Sequence, residues 1–190
     1  MSTHQRKERE RAERERLIVT TARDLAESEG WDAVTTRRLA AEIEYSQPVL
    51  YSHFSGKVAI MVAVAVAGFS ELADQLHAAR TSATGSHQAL TAVARAYAGF
   101  ARERPAQYEA MFTTTLDLPF ASLDAPAPLH RAFAEIRHAL EPFTGEDDLE
   151  TLTETFWAAL HGLLTLLHNG RLRRDEHTRR LTLLIKHFAR

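Results

Sequence analysis

The chain has 190 residues, 45% apolar and 25% charged, which suits one large or two small globular domains with enough apolar side chains for a core. It has no cysteine, which excludes disulfides, thiol catalysis and cysteine-ligated metals. Net charge is −2, with ten Lys/Arg against ten Asp/Glu in residues 1–57 and thirteen against fifteen beyond. Any nucleic-acid surface must therefore be local rather than a basic field over the whole molecule. The N-terminus is charged rather than apolar, and the most apolar run, Ala59 to Phe69, is about half the length a bilayer requires. A cytoplasmic protein with no membrane partner is expected.

Residues 1–16, MSTHQRKERERAERER, alternate basic and acidic side chains, six Lys/Arg against four Glu. They read as a solvated extension of the next helix or as a basic arm for a polyanion. Leu17, Ile18, Ala22, Leu25 and Ala26 recur at helical spacing, and Gly30 stops that helix. Thr35 or Thr36 caps a second, short helix that turns Leu39, Ala40 and Ile43 inward. Ser46 is placed to cap a third, from Gln47 to about His53, whose first turn tolerates Pro48. Ser55 is placed to cap a fourth, from near Lys57 to about Arg80, and TSATGS (81–86) is a loop by composition, a rigid joint or a flexible linker.

A fifth helix, from about His87 to Arg104, ends at Pro105, which opens a short one through Tyr108, Met111 and Phe112. Residues 117–128 hold three prolines and form a loop. Further helices are expected over about Leu129–Leu140, Leu149–His168 and Glu176–Phe188, broken by FTGEDD and Asn169-Gly170. No window alternates as a strand would. The expected fold is all-α with about nine helices and no internal repeat.

The stretch YSQPVLYSHF (45–54) is too polar for a buried helix and too aromatic for a solvated one. Two short helices joined by about three residues, after a longer one, make a helix-turn-helix. In that motif the second short helix enters the DNA major groove with its N-terminal residues at the base edges. Gln47 suits a paired contact to adenine, and Pro48 and Val49 suit a thymine methyl. Tyr51, Ser52 and His53 reach towards phosphates, and His53 serves equally well to hold the local fold. Leu50 and Phe54 point back into a small core with Leu39 and Ile43. Lys57 stands at the N-terminus of the next helix, where free N–H groups favour a phosphate.

The segment VTTRRLAAEIEYSQPVLYSHFSGK resembles the DNA-binding part of the tetracycline-repressor (TetR) family of bacterial regulators. The resemblance runs from Leu17 to Met61 and rests on Thr35-Thr36, Leu39-Ala40, Leu50-Tyr51-Ser52-His53-Phe54 and Lys57. It implies that Thr36, Tyr51 and Lys57 hold phosphates, that Arg37 and Gln47 read bases, and that Pro48 and Val49 meet a methyl group. The family usually has Gly in the turn between the two short helices, where this chain has Glu44. Gly suits a left-handed backbone, so Glu44 implies a mildly strained or altered turn and puts a carboxylate near DNA.

ARERPAQYEAMFTTTL (101–116) and Trp157, His161 and Gly162 resemble one C-terminal subtype of that family, known for a Trp, His and Gly in its penultimate long helix. Leu160, Leu164 and Leu167 form one stripe, and Leu184 and Phe188 lie on the last helix. Such helices pair across a two-fold axis as a four-helix bundle, or bury their stripes within one subunit; the resemblance implies the homodimer. Tyr97, Phe100, Tyr108, Met111, Phe112, Phe133, Phe156, Trp157 and His161 are each ordinary core candidates. As a set, the family architecture implies a pocket among them for a small apolar effector.

The ten histidines show no ligand spacing, and no nucleophile elbow, phosphate loop or HExxH motif occurs. No metal, cofactor or catalytic residue is expected. The domains expected are 1–57, an N-terminal arm and DNA-binding head, and 58–190, a helical ligand-binding and dimerisation domain. The function implied is a ligand-responsive regulator, a repressor in its simplest form, that binds a palindromic operator as a homodimer. The other reading is a helical small-molecule-binding or enzymatic protein with a degenerate head, favoured by Glu44 and the head's neutral charge.

Overall fold

A computed structural model describes residues 3–112, 116, 118–119, 122 and 124–189. Met1 and Ser2 of the expected arm, 113–115 of the subtype-like stretch, and Asp117, Phe120, Ala121 and Leu123 of the expected loop lie outside the described residues. The described residues form nine α-helices and two short 3-10 turns, with no strand among them.

The chain packs as two compact units. The first comprises Met1–Gly68 with Arg104–Ser122, and the second Phe69–Glu103 with Leu123–Arg190. The sequence led to the expectation of a division after Lys57, whereas packing groups the start of the fourth helix and 104–122 with residues 1–57.

In the first unit, α1 (Thr3–Glu29) is solvated along its first four turns and then buries Ile18, Ala22 and Ala26. Gly30, at φ 82, ends it, and a 3-10 turn follows over Trp31–Ala33. Helix α2 (Thr36–Glu42) starts on Thr35, whose side chain accepts from the Arg38 N–H at 3.1 Å. Helix α3 (Gln47–Tyr51) is shorter than the sequence suggests, because Ser52 already acts as its C-cap and His53 falls in the following turn. Ser46 precedes it in extended conformation without a side-chain cap.

Helix α6 (Pro105–Phe112) packs on α1 in the same unit. Its first N–H groups would be orphans. The Glu27 carboxylate accepts from Ala106 at 3.1 Å and from Gln107 at 3.0 Å. The Trp31 indole N–H donates to the Ala106 carbonyl at 2.8 Å. Gly68 on α4 (Lys57–Thr81) lets α6 approach closely: a Cβ there would lie 2.5 Å from the Met111 sulfur.

Helix α4 has the length and mean hydropathy, 1.5, of a membrane-crossing helix. Buried Ile60, Val64, Ala65, Phe69, Leu72 and Leu76 make it instead a core helix that contributes to both units.

The second unit holds the later turns of α4, then α5 (Ser86–Glu103), α7 (Ala127–Leu140), α8 (Leu149–His168) and α9 (His177–Phe188). Its core joins Leu90, Tyr97, Phe100, Ile136, Phe156, Leu160 and Leu181, all at most 6% exposed. Glu135 on α7 accepts from Arg80 at 2.7 Å and pairs with His77 at 3.0 Å. Burial pushes its carboxyl up, but these two partners outweigh burial and hold it below the usual range. Asp148 caps α8 by accepting from the Thr151 N–H at 2.8 Å.

Candidate nucleic-acid interface

Helix α3 is anchored from behind. Leu50 is fully buried, beside the buried Leu39 of α2 and Ile43 of the turn. With Leu50 fixed inward, helical geometry turns Pro48, Val49 and Tyr51 outward, and Gln47, at the first position of the helix, is exposed with them. Arg37 is also exposed and Thr36 half-buried; the Thr36 hydroxyl lies 3.4 Å from the Tyr51 hydroxyl. Two of the side chains expected to hold phosphate thus stand side by side where the first residue of α2 meets the last of α3.

The turn between α2 and α3 keeps the geometry that a glycine would serve. The Tyr45 N–H donates to the Ala40 carbonyl at 2.8 Å, and the Glu44 N–H to the Ala41 carbonyl at 3.3 Å. This pair of bonds is the Schellman ending of a helix, in which the residue after the C-cap is left-handed and usually Gly. Glu44 occupies that position at φ 56, the one non-glycine residue with positive φ among those described. The turn is therefore strained in its backbone rather than altered in its path.

Two expected contact residues are engaged within the protein. The His53 side chain is 6% exposed, and its Nδ1 lies 3.2 Å from Glu15 of α1. Glu15 also accepts from Arg11 at 2.9 Å, and these two bonds, Arg11 first, hold its carboxyl below the usual range. The Lys57 ammonium is half-buried and donates to the Trp31 carbonyl. An ammonium has three N–H groups, so this bond leaves donors for another acceptor. Arg38, beside Arg37, is bound to Glu42 at 2.7 Å and Glu29 at 3.2 Å. Sequence reasoning missed the roles of Glu15, Glu27 and Arg38. The Glu15 and Glu27 contacts span 38 or more residues, and no local spacing announces them.

The residues expected to line an effector pocket divide between the units. Tyr108, Met111 and Phe112 belong to the first, where the Tyr108 and Phe112 rings lie 4.7 Å apart. Tyr97, Phe100, Phe133, Phe156, Trp157 and His161 belong to the second. There the Trp157 indole donates to the Tyr97 hydroxyl at 2.9 Å, and the Trp157 and His161 rings are 6.3 Å apart. The His161 Nε2 lies 3.3 Å from the Thr165 hydroxyl, and burial holds its imidazole below the ordinary value. Tyr97, Phe100 and Phe156 are buried side chains of the core, while Trp157, His161 and Phe133 are partly exposed. A groove of about 300 Å³ runs along α5, lined by His87, Gln88, Thr91, Ala92 and Arg95; none of the nine expected residues lines it.

Among the residues expected at a dimer interface, Leu160 and Leu164 are buried in the core of their own unit, at 0% and 6% exposure. Leu167, Leu184 and Phe188 are half-buried, with the Phe188 ring 5.1 Å from that of Phe156. The exposed apolar side chains of α8 and α9 are Leu166, 46%, and Leu183, 55%. Ala158, one helical face away from Leu160, is exposed as well, and a Cβ at Gly162 would meet nothing within 4 Å.

Comparisons with known proteins agree with this architecture. Residues 18–64 match the family model described as bacterial regulatory proteins, tetR family. Residues 90–188 match the tetracyclin repressor-like C-terminal domain. An HTH-type transcriptional regulator of Bacillus subtilis (strain 168) is 35% identical over 96 residues, half of each chain. The present chain thus spans half the length of that relative. Another regulator of this type, from Mycobacterium tuberculosis, is 28% identical over 80% of this chain and 69% of its own.

A solved structure of a protein from Rhodococcus sp. RHA1 superposes with a TM-score of 0.78 at 23% identity, covering 92% of this chain and 93% of the other. The TetR-family regulator PfmR of Thermus thermophilus superposes at 0.65 and 20% identity, covering 89% and 97%. These two show the shared fold. With family models covering both its head and its C-terminal half, the chain belongs to the TetR family of transcriptional regulators, and α2 and α3 are its DNA-binding helix-turn-helix.

Proposed function

We propose that the protein is a homodimeric repressor that lays α3 in the major groove of a palindromic operator and releases it when a small, largely apolar molecule binds the C-terminal unit. The observation that carries this reading is the outward face of α3. Gln47, Pro48, Val49 and Tyr51 are exposed together on a helix pinned from behind by Leu50. An amide aimed at adenine, an apolar pair for a thymine methyl and a phenol for phosphate fit a base edge and its backbone. Arg37 and Gln47 read bases; Thr36, Tyr51 and Lys57 hold phosphates. His53, turned towards Glu15, fixes the end of α3 rather than touching DNA itself.

Two such heads reach successive major grooves only when held about one DNA turn, ~34–36 Å, apart, which requires a dimer. The face that supports it is Ala158, Gly162 and Leu166 of α8 with Leu183 of α9. Small residues there permit close backbone approach, and two exposed leucines supply apolar area. An effector that fits one head spacing better than another shifts the population between them. The partly exposed Trp157 and His161, with Trp157 held by the buried Tyr97, offer aromatic surface with few polar tips, which suits a neutral, mostly apolar molecule.

The test is fluorescence anisotropy of the dimer on duplex DNA from upstream of the protein's own gene, against random duplex of the same length. Specific binding at least ~10³-fold tighter than random is expected. Equal binding to both would overturn the operator-reading role.

A further inference from the structure

From the distribution of cations in the first unit, we propose that the N-terminal turns of α1 form a second DNA-contacting element, a rigid arm that grips the phosphate backbone beside α3. This rests on the DNA-binding reading above. Without its first sixteen residues the head is acidic: residues 17–57 hold four Lys/Arg and six Asp/Glu. Three of those four cations are engaged inside the protein. Arg23 is paired with Asp24, Arg38 with Glu29 and Glu42, and Lys57 with the Trp31 carbonyl. Arg37 is the fourth. A surface with that balance has little to draw a polyanion, and phosphate neutralisation supplies most non-specific affinity for DNA.

The balancing positive charge lies in the arm, with six Lys/Arg against four Glu, and the helix sorts it by side. Ile18, Ala22 and Leu25 form the stripe of α1 that faces the core. Lys7, Arg11 and Arg14 continue that same stripe towards the N-terminus at the i, i+4, i+7 spacing. The stripe changes from aliphatic to cationic where α1 runs past the edge of the head. That edge is marked by Glu15, which bridges Arg11 at 2.9 Å and His53 at 3.2 Å.

His53 is two residues beyond Tyr51, so α1 leaves the head at the phosphate-facing end of α3. From Ile18 to Lys7 the helix advances roughly 16 Å, enough to pass several phosphates. The Glu13 carboxylate lies off this face, while Glu8, Glu10 and Glu15 flank it. The pairs Arg11–Glu15 and Arg14–Glu10 are exposed i, i+4 contacts, which exchange readily for a phosphate.

The experiment compares two triple substitutions of equal charge in the full chain. Lys7→Gln/Arg11→Gln/Arg14→Gln empties the core-side stripe; Arg6→Gln/Arg9→Gln/Arg16→Gln removes as much charge from the outer side. Each is titrated by anisotropy against a random duplex of about 30 base pairs, long enough for two heads one turn apart and their flanking phosphates, and against the upstream duplex, from low to high salt. Far-UV circular dichroism checks that glutamine keeps the arm helical. The core-side variant is expected to lose about tenfold or more in affinity for both duplexes. The slope of log K against log salt should fall by about two to three per subunit. The outer variant should lose less than about threefold. Equal losses in the two variants would overturn the arm as an oriented contact, and unchanged binding by both would overturn it as any contact. Failure of the unsubstituted protein to bind either duplex would instead remove the DNA-binding reading on which the arm depends.

Discussion

Among the regions that leave large apolar side chains in water, the reading helix and the last two helices differ in the neighbours those side chains have. On α3, Val49 is 39% and Tyr51 51% exposed, among Gln47, Ser46 and Ser52, on a helix five residues long. On α8 and α9, Leu166 and Leu183 are as exposed, but α8 is twenty residues long and its outer face around Leu166 carries Ala158 and Gly162. An apolar side chain ringed by polar tips suits a wet, charged partner whose hydrogen bonds must be met. One flanked by small residues on a long helix suits a dry interface with another helix, where close packing excludes water. The largest test of that contrast sets two leucines of α8 against each other. Leu164→Glu puts an unpaired carboxylate into the core and should unfold the second unit, a cost of about 4 kcal/mol or more. Leu166→Glu should keep the melting temperature within a few degrees, yet give monomer in light scattering and abolish operator binding. A dimeric Leu166→Glu protein would place the interface elsewhere.

The same pair explains which parts could be read before the structure. Helix existence followed from apolar spacing, and Gly30, Pro105 and Asn169-Gly170 marked ends, because these signals act within a turn or two. The head was legible because its second helix has only five residues and one buried anchor, Leu50, so the outward side chains are fixed by local geometry. On α8 the spacing revealed an apolar stripe, Leu160–Leu164–Leu167, but periodicity cannot tell which body covers it. Leu160 and Leu164 are covered by their own unit. His53 likewise read as a phosphate contact or a local brace, and its partner Glu15 lies 38 residues away.

The next tests concern the reading face. Gln47→Ala should relax preference at one symmetric pair of operator positions by about 1–3 kcal/mol while random duplex is bound as before. Equal loss on both duplexes would assign Gln47 to the backbone. Lys57→Ala has two expected effects, since its ammonium donates to the Trp31 carbonyl and retains other donors. The Trp31 carbonyl still accepts from the Val34 N–H at 3.2 Å, so losing the Lys57 bond should lower stability by only about 0.5–1.5 kcal/mol, seen in thermal melts. Removing an ammonium that holds a phosphate should also flatten the salt slope by about one per subunit. A melt shift without a slope change would make Lys57 a brace for the 3-10 turn alone.

In the second unit the contrast sharpens through pH. Burial holds the His161 imidazole below its ordinary value, so the unfolded chain binds that proton more readily than the folded one. The associated stability is present above the unfolded value of 6.5 and is lost as pH falls through the folded value. His161→Gln should therefore flatten the fall in melting temperature between neutral and mildly acid pH. An unchanged pH profile would mean that other groups set it.

The smallest effect belongs to Glu44. A left-handed non-glycine residue costs about 1–2 kcal/mol. Glycine would relieve that strain but give back about 0.5–1 kcal/mol through the greater freedom of the unfolded chain. Glu44→Gly should thus stabilise the head by roughly 0.5–1 kcal/mol on these two terms. It also removes a carboxylate from the exposed turn just before α3, so binding to random duplex should rise a few-fold at low salt and converge with the parent at high salt. Glu44→Gln separates the two causes, because it removes the charge and keeps the φ of 56. Gln should change binding and leave the melt in place, and Gly should change both. If Gly lowers the melting temperature instead, the Glu44 side chain supports the turn in a way its backbone strain conceals.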